Sequence, residues 1–367
     1  MLLHEVFVDG FRNLAQVTLR PHPRLTVLIG DNGQGKTNLL EAIHLVAALR
    51  PLRPVERAAE LVAFGRETGL VRGRFALDGP LDVEVRLEQR GRKATVGGKA
   101  VRDVATLAGR LGVVSFVPDD ATMIRGGPGD RRRGLDRFAY ALLPAFAAAS
   151  RRFDEALEQR NRLLKEPVVD DDALDAFTPP FVDAAVDLAR LRAEACVRWA
   201  PVFSAEAHAL GGDALGATLG YQSGCFDDDV ATTASAALQQ HLQQRLDRGR
   251  DVEKRKRSTL CGPQLDDVVV AKAGRGARFL ASQGEARALV LALKLAAVRL
   301  LTEARGQGPL LLLDDVAGEL DRHRAARLLQ SIDEHDAQVF VTTTGTDTLP
   351  PLGDCAVVGV HDGRLRA

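Results

Sequence analysis

The 367-residue chain is poor in several residue types whose clustering would indicate particular kinds of site. Its four cysteines stand far apart and form no Cys-x-x-Cys pair, which argues against a zinc ribbon and against a thiol redox motif. Scattered thiols of this kind fit a reducing cytosol. Aromatic residues make up 5% of the chain, with one Trp and two Tyr, and no basic run is interleaved with them. Stacking on single-stranded nucleic acid is therefore disfavoured.

Long uncharged apolar runs are also absent. The N-terminal stretch MLLHEVFVDGF carries Glu5 and Asp9, which interrupt the apolar core that a secretion signal needs. The most apolar helical stretch, ARALVLALKLAAVRLL, is broken by Arg287, Lys294 and Arg299. We therefore expect a buried core helix there and no membrane span, and a soluble cytoplasmic protein overall.

Net charge is zero, because 49 Lys and Arg balance 49 Asp and Glu, but the charges are unevenly distributed. Residues 121–165 hold ten basic and five acidic residues, and residues 241–257 hold seven and three. Residues 166–230 instead hold thirteen acidic and three basic residues. This segregation predicts a basic face for a polyanion and an acidic face elsewhere; ordinary solvated helix surface is the alternative.

The order of the predicted elements is that of an α/β protein with a helical insertion. LTVLIG is an apolar strand, TNLLEAIHLVAALR a helix, and LDVEVRL with the hairpin VGGKAV predicts antiparallel strands up to about residue 112. Long helices follow, of which RRRGLDRFAYALLPAFAAASRRFDEALEQRNRLL is the first, and strands return with DDVVVAKAG and PLLLLDDV. We predict one domain from residues 1–112 and 258–367, a mainly helical lobe at 113–257, and a linker at KEPVVDDDALDAFTPP.

The clearest motif is a phosphate-binding loop between a predicted strand and a predicted helix. The pattern G-x-x-x-x-G-K-[ST] is matched at every fixed position by Gly30, Asp31, Asn32, Gly33, Gln34, Gly35, Lys36 and Thr37, with Asn38 next. Glycines let backbone N–H groups turn toward phosphate oxygens, and the following helix N-terminus adds partial positive charge. We expect Lys36 to reach the β- and γ-phosphates of ATP, and the Thr37 hydroxyl to ligate Mg²⁺.

Two adjacent acids end the apolar strand in PLLLLDDVAGELD. We expect Asp314 to hold Mg²⁺ opposite Thr37, and Asp315 to act as the catalytic carboxylate that polarises the attacking water. A solvated turn or a helix cap is the alternative for such a pair. The following residues, Gly318-Glu319-Leu320-Asp321, resemble a dimer-contact loop.

Ser282-Gln283-Gly284 begins a long helix 32 residues before Asp314. Taken alone, this tripeptide is usually a helix cap, but it is also an anion-binding helix terminus. Because the chain already has a phosphate loop, the economical interpretation is that Ser282 closes on the γ-phosphate of a second subunit's ATP. This placement is typical of ABC ATPases and absent from simple P-loop kinases. The sequence thus predicts an ABC-type P-loop ATPase head, a mixed sheet with an antiparallel β-subdomain, whose helix at 282–305 packs near the helical lobe.

With these motifs, the chain resembles the RecF family of bacterial recombination-mediator ATPases. The resemblance rests on FVDGFRNL, GDNGQGKTNLLEAIHLVA, GGPGDRRRGLDRF, SQGEARALVLALKLA, LLLLDDVAGELD and QVFVTTT, in the family's order from end to end. It implies an SMC-like head without a long coiled coil, which dimerises around ATP and binds double-stranded DNA at gaps and single-/double-strand junctions. It further implies slow, DNA-stimulated ATP hydrolysis and a role with RecO and RecR in loading RecA recombinase during replication, repair and the SOS response.

The sequence departs from the expected pattern at several places. Gly262-Pro263-Gln264-Leu265-Asp266 lacks the histidine and basic residue that commonly follow Gly-Pro, and Gly284-Glu285-Ala286 stands for Gly-Gln-Gln. Residues 342–344 are threonines where transporter-type ATPases have a switch histidine. A glutamine loop cannot be assigned either, although FVPDDATMI lies about where one is expected.

Two basic runs are candidates for contacts with DNA phosphates. One is Lys254, Arg255, Lys256 and Arg257, and the other is Arg131, Arg132 and Arg133. Such contacts give salt-dependent, sequence-independent affinity. The alternative for the arginine run is that it pins the helical lobe to the nucleotide domain through carboxylates. Two further functions stay open, a cytosolic ABC ATPase that acts on a protein partner and a non-catalytic nucleotide-sensing scaffold.

Overall fold

The computed structural model describes residues 1–53, 55–101, 111–227, 229–315, 322–334, 337–345 and 353–366. The chain divides into two compact units. Unit 1 comprises Met1–Ala121, Ala205–Gly216 and Ala281–Ala367, and unit 2 comprises Thr122–Ser204 and Ala217–Leu280. Among the described helices, none combines the length and the hydropathy that a membrane crossing requires.

The regular elements of the described residues are named in chain order. The strands are β1 Leu2–Phe11, β2 Leu14–Leu19, β3 Leu25–Ile29, β4 Thr68–Ala76, β5 Pro80–Glu88, β6 Gly91–Val96, β7 Lys99–Ala100, β8 Val113–Phe116, β9 Ala217–Gln222, β10 Asp267–Lys272, β11 Arg275–Gly276, β12 Leu310–Leu313, β13 Gln338–Thr343, β14 Ala356–His361 and β15 Arg364–Arg366. The helices are α1 Lys36–Ala48, α2 Thr122–Arg125, α3 Pro128–Leu142, α4 Phe146–Lys165, α5 Asp171–Gly211, α6 Ser235–Lys256, α7 Ala277–Leu280, α8 Gln283–Arg305 and α9 Arg322–Asp333.

Unit 1 contains an antiparallel sheet in the order β2-β1-β4-β5-β6-β7. Its strands alternate buried and exposed residues, as in β5, where Val83, Val85 and Leu87 are buried. This period of two covers one face with core and leaves the other in water. The predicted hairpin is confirmed, because Gly97 and Gly98 join β6 to β7 with φ of 54° and 78°, which tight hairpin turns require.

The second sheet of unit 1 has the order β15-β14-β3-β13-β12-β8, and all its pairs are parallel except β14 with β15. Strands β12 and β13 are buried along their whole length, as continuous apolar runs in parallel sheets usually are. Helix α1 packs against both sheets, and its residues Leu39 and Val46 share one apolar core with Phe11 and Phe340. Parallel pairing brings the carboxyl ends of β3, β12 and β13 to one edge.

Unit 2 is mainly helical, but it also has a three-stranded antiparallel sheet in the order β11-β10-β9. Strand β9 is not predicted from the sequence, and β10 is predicted to belong to the nucleotide domain. Because β10 pairs with β9 along its whole length, residues 258–280 belong with unit 2. The predicted lobe boundaries, 113 and 257, therefore differ from those of unit 2, which begins at Thr122 and reaches Leu280. Helix α8 is grouped with unit 1.

One predicted helix and one predicted linker are wrong, and both contain prolines. The single long helix predicted from residue 131 is wrong: it is divided into α3 and α4, and Leu143, which precedes Pro144, has an extended backbone. A proline disfavours helical backbone at the residue before it. The predicted linker is wrong as well, since α5 begins at Asp171 and continues through Pro179 and Pro180. Buried residues at helical spacing, Leu174 and Phe181 among them, carry the helix past these prolines.

Candidate functional site

The phosphate-binding loop joins β3 to α1, and the C-terminal hairpin supports it. A Cβ atom on Gly30 would lie 2.2 Å from the carbonyl oxygen of Val360, so glycine is required where β3 ends beside β14. The backbone oxygen of Gln34 accepts a hydrogen bond from the Gly363 N–H at 3.0 Å. Its side-chain Oε1 accepts another from the Asp362 N–H at 2.7 Å. The loop is therefore positioned before any nucleotide binds.

Asn13, in the turn between β1 and β2, supports the same loop. Its Nδ2 donates to the Gly33 carbonyl at 3.1 Å, and its Oδ1 accepts from Asn38 Nδ2 at 2.8 Å. Gly35 has φ of 112°, and a Cβ there would meet Asn13 Oδ1 at 2.9 Å. The stretch FVDGFRNL contributes to the family resemblance but does not predict this role; the structure adds that Asn13 holds the loop.

Lys36 opens α1 and is buried, with 7% of its surface exposed. Its Nζ donates to the carbonyl oxygens of Gly30 at 2.5 Å and Asp31 at 2.8 Å. The ammonium group therefore lies against the backbone of the loop, beside the helix N-terminus. Both contribute positive charge at the place where phosphate oxygens are expected.

Thr37 and Asp314, which are 277 residues apart in sequence, meet at the carboxyl edge of the parallel sheet. The Thr37 hydroxyl donates to Asp314 Oδ1 at 2.8 Å, and the Thr342 hydroxyl donates to the same oxygen at 2.8 Å. A hydroxyl and a carboxylate are hard oxygen ligands of the kind that Mg²⁺ prefers. These residues fit a magnesium ion held by Thr37 and Asp314.

Asp315 has an unusual backbone for a residue with a side chain, with φ of 52°. Its N–H donates to the Thr342 hydroxyl at 2.9 Å, so Thr342 links both acids. Burial raises the pKa of Asp315, and the charge of Asp314 raises it further, whereas Lys36 and Arg287 oppose this shift. Left-handed backbone is unfavourable for most residues and concentrates at functional sites. The sequence shows Thr342 only as one of three threonines at the place of a switch histidine, and it does not predict this link.

These residues line a single pocket. Its lining is Asn32, Gly33, Gly35, Lys36, Thr37, Asn38, Arg53, Asp314, Asp315 and Thr342. Arg53 is the member that the sequence does not predict, because it belongs to no motif and simply follows α1. Its NH2 group lies 3.6 Å from Glu41 Oε2, and its Nε is buried without a hydrogen-bond partner among the described residues. Arg53 thus contributes a cation to the lining of the pocket.

The Ser282-Gln283-Gly284 tripeptide lies at the start of α8 and does not line that pocket. Ser282 Oγ accepts from the Glu285 N–H at 3.2 Å, and Glu285 Oε2 accepts from the Ser282 N–H at 2.9 Å. This reciprocal capping matches the helix-cap alternative for the serine. Ser282 and Gln283 are nevertheless exposed, so the cap leaves them accessible. The predicted dimer-contact loop at 318–321 lies outside the described residues.

The three arginines of α3 that are predicted to contact DNA differ in their contacts and in their exposure. Arg131 makes a bidentate ion pair with Asp267, with Nε–Oδ1 and NH2–Oδ2 distances of 2.7 Å, and Arg132 donates to the Asp266 carbonyl oxygen. Both contacts lie within unit 2. Arg133 pairs with a neighbouring acid but keeps 66% of its side chain exposed. Of this run, Arg133 alone presents an exposed cation.

The second basic run forms the C-terminal turn of α6. Lys254 Nζ donates to Asp171 Oδ2 at 2.8 Å, and this hydrogen bond lowers the pKa of Asp171. The acidic start of α5 therefore neutralises part of the basic segment, although the sequence predicts separate acidic and basic faces. Three residues of the run are exposed: Arg255, Lys256 and Arg257.

A buried ion pair anchors this basic turn. Arg160 of α4 and Glu253 of α6 lie 2.7 Å apart, and each side chain is 2% exposed. The second oxygen of Glu253 accepts from the Leu260 N–H at 2.7 Å. Such a pair is costly to break, because removing one partner leaves a buried charge uncompensated. The basic turn thus has a fixed position in unit 2.

The Gly-Pro-Gln-Leu-Asp segment is part of a buried polar network in unit 2. Asp266 is fully buried and accepts from the Tyr221 hydroxyl, the Gly224 N–H and Arg192. Arg192 also holds Asp136 through two hydrogen bonds of 2.8 and 2.9 Å. Burial raises the pKa of Asp266. This segment therefore has a structural role that does not need the histidine missing from its sequence.

Comparison with known proteins decides which family this chain represents. Residues 2–362 match the family model described as RecF/RecN/SMC N terminal domain. The DNA replication and repair protein RecF of Anaeromyxobacter sp. (strain Fw109-5) is 42% identical over 377 residues, which cover 100% of this chain and 99% of that protein. The chain belongs to the RecF family. The family resemblance seen in the sequence is thereby confirmed.

Solved structures agree with this assignment to the RecF family. A structure described as the recombination mediator protein RecF-ATP in the RecFOR pathway matches with a TM-score of 0.90 and 28% identity, covering 100% of this chain and 97% of that chain. The Smc head domain of Pyrococcus furiosus, with an extended coiled coil and bound to a domain of ScpA, has a TM-score of 0.55 at 15% identity, covering 100% and 95%. This second likeness concerns the fold alone. The predicted ABC-type ATPase head is confirmed.

Proposed function

We propose that this RecF-family chain is an ATP-dependent DNA-binding protein of recombinational repair, in which two copies close around ATP. The observation that carries the proposal is the exposure of Ser282 and Gln283 at the start of α8, outside the pocket that contains Lys36. One chain does not bring the two phosphate-binding elements into one pocket, so a second copy would supply Ser282 and Gly284. The homodimer forms when ATP is bound.

Within each half-site, the loop residues bind ATP before closure. The N–H groups of the loop and the Lys36 ammonium hold the phosphates, and Arg53 adds a further cation in the lining of the pocket. Magnesium bound by Thr37 and Asp314 would neutralise charge on the β- and γ-phosphates. Asp315 accepts the proton of the attacking water, for which its carboxylate must be ionised. Hydrolysis is slow, is stimulated by DNA, and reopens the dimer.

Duplex DNA contacts come from the exposed cations, Arg255, Lys256 and Arg257 at the end of α6 together with Arg133. Arg131 and Arg132 do not contact DNA in this arrangement, because their guanidinium groups are engaged within unit 2. ATP and DNA binding are coupled reciprocally, typically by about 1–3 kcal/mol. The relative described as the recombination mediator protein RecF-ATP in the RecFOR pathway supports partners of the RecO and RecR type. Gaps and junctions as targets, and help in loading RecA recombinase, rest on the family resemblance alone.

The test is fluorescence anisotropy of a labelled duplex, titrated with the protein in ATP and in ADP at fixed salt. We expect tighter binding in ATP, and loss of this difference in Lys36→Met and in Ser282→Arg. Arg20→Ala serves as the control, because Arg20 is an 81% exposed cation that directly follows β2 in unit 1. Absence of duplex binding in both nucleotides would exclude the proposal and favour an ABC ATPase that acts on a protein partner.

A further inference from the structure

Lys294 is a buried charge in the middle of a long helix whose apolar residues are mostly buried. Its neighbours Leu293 and Leu295 are 1% and 0% exposed, and Lys294 itself is 8% exposed. An ammonium group at such a position is unfavourable unless it is paired and hydrogen-bonded. The helix is α8, which begins with Ser282-Gln283-Gly284, so the charge lies on the element that carries the proposed dimer contact.

Lys294 forms an ion pair with Asp120. The distance from Lys294 Nζ to Asp120 Oδ2 is 3.1 Å, with 10% and 4% of the two side chains exposed. The same Oδ2 atom accepts a hydrogen bond from the Val117 N–H at 3.1 Å. Asp120 belongs to the short 3-10 helix Pro118–Ala121, which directly follows β8. The ion pair therefore ties α8 to the segment that leaves β8, entirely within unit 1.

That segment lies beside the proposed metal ligand. Strands β8 and β12 are parallel neighbours with Phe116 opposite Leu313, and the Asp314 N–H donates to the Phe116 carbonyl oxygen at 2.9 Å. Val117 follows Phe116 at the same edge of the sheet. A continuous set of short contacts thus leads from Asp314 through residues 116–120 to Lys294.

The contact at Lys294 influences the position of the start of α8, because both belong to one continuous helix. The helix runs without interruption from Gln283 to Arg305, and Lys294 lies twelve residues after Ser282, about 18 Å along the axis. A small rotation of a rigid helix at Lys294 becomes a larger displacement at its N-terminus. The segment FVPDDATMI, where the sequence shows no glutamine loop, contains the Asp120 that makes this contact.

We propose that Lys294, held by Asp120, is a positioning residue that sets Ser282-Gln283-Gly284 relative to the Asp314 edge of the sheet. The inference rests on the proposed function, because it concerns the step in which α8 meets ATP bound by a second copy. Lys294 is not among the residues that line the nucleotide pocket. Its loss acts on closure and hydrolysis, and it spares the binding of ATP to the chain's own loop.

The test compares Lys294→Met, which keeps an unbranched apolar side chain, with Asp120→Asn. For each variant, three quantities are measured: affinity for a fluorescent ATP analogue, ATP-dependent self-association by sedimentation velocity, and kcat by phosphate release. We expect kcat and self-association to fall by about tenfold or more, while analogue affinity stays within about threefold. The double variant should be no worse than the worse single variant, because both remove one interaction.

The matched control is Leu301→Ala, a buried position on the same helix that makes no ion pair. It lowers the unfolding temperature through a cavity but should leave kcat and self-association unchanged well below that temperature. If Lys294→Met loses stability as Leu301→Ala does and keeps kcat and self-association, the inference is overturned. If analogue affinity falls as much as kcat, the loop itself is disturbed and the positioning role is also wrong. Ser282→Arg separates the two proposals. If this variant still self-associates in ATP, the proposed dimer through Ser282 is refuted, and not only the role of Lys294 in forming it.

Discussion

Among the described residues, Thr342 is the side chain whose hydrogen bonds join the two acids, and replacing it by valine tests that arrangement. Valine has nearly the same shape and lacks the hydroxyl. In the wild-type chain Thr342 is 1% exposed. Its hydroxyl donates a hydrogen bond to Asp314 and accepts one from the Asp315 N–H. The substitution therefore removes one hydrogen bond to a charged acceptor and leaves one backbone donor without its partner.

The expected cost follows from those two losses. A hydrogen bond to a charged group contributes about 1.5–3 kcal/mol, and an unsatisfied buried donor costs about 1–3 kcal/mol. Asp314 keeps its bond from Thr37, so we expect the free energy of unfolding to fall by about 2–4 kcal/mol. Because the left-handed backbone of Asp315 depends on the same hydroxyl, we also expect kcat for ATP hydrolysis to fall by at least about tenfold, which corresponds to about 1.4 kcal/mol of activation free energy.

Urea unfolding and phosphate-release kinetics measure these two effects. Thr342→Ser keeps the hydroxyl and should restore most of both quantities. Thr343→Val is the neighbouring control, because the Thr343 hydroxyl donates to the Gly345 carbonyl oxygen at 2.9 Å and touches neither acid. The reasoning is refuted if Thr342→Val unfolds at the wild-type urea concentration and hydrolyses ATP within about twofold of the wild-type rate.

Three further predictions follow from the site and from unit 2. Because the pKa of Asp315 is raised in the folded chain, its contribution to the free energy of unfolding is present below the ordinary aspartate pKa and is lost as pH rises through the raised pKa. Asp315→Asn should flatten this part of the curve of stability against pH. An unchanged curve would contradict the pKa shift. Arg131→Ala should lower the free energy of unfolding by about 3 kcal/mol in urea, by leaving Asp267 unpaired, without changing the salt dependence of duplex binding; a reduced dependence would restore Arg131 as a DNA contact. Burial raises the pKa of Cys196 to about 12, so iodoacetamide at pH 8 should label it far more slowly than the half-buried Cys355, and mass spectrometry showing the reverse order would contradict this.

Local motifs account for what the sequence predicted well. The phosphate loop is contiguous, and its meeting with Asp314 follows from two strands ending at one edge of a parallel sheet. The Thr37–Asp314 contact, although it spans 277 residues, was therefore predictable from element order. Strand and hairpin positions in the antiparallel sheet were predictable for a similar reason, since alternation and the Gly97-Gly98 turn are visible in the sequence.

Contacts between side chains from distant segments were not predictable in the same way. Strand β9 is short and lies between helices, so nothing in its own six residues indicates that β10 pairs with it. Lys294 is visible in the sequence only as an interruption of an apolar helix, and its partner Asp120 lies 174 positions earlier. Arg53 contributes to the nucleotide pocket through its location after α1, for which its neighbours give no signal.

The number of basic residues in the two runs overstates the number of exposed cations that DNA can contact. The two basic runs contain seven cations, but Lys254 is paired with Asp171 and Arg131 and Arg132 are engaged within unit 2. Four remain as exposed candidates, Arg133 and the three that end α6. If each contacts one phosphate, an ATP-closed pair of chains makes eight contacts, and the slope of log K against log salt for duplex binding is roughly −7. Contacts from all seven cations would instead give a slope of roughly −13. Anisotropy titrations in ATP at four or more salt concentrations distinguish these two slopes. A slope near the steeper value, roughly −13, would mean that the internal ion pairs open when DNA binds.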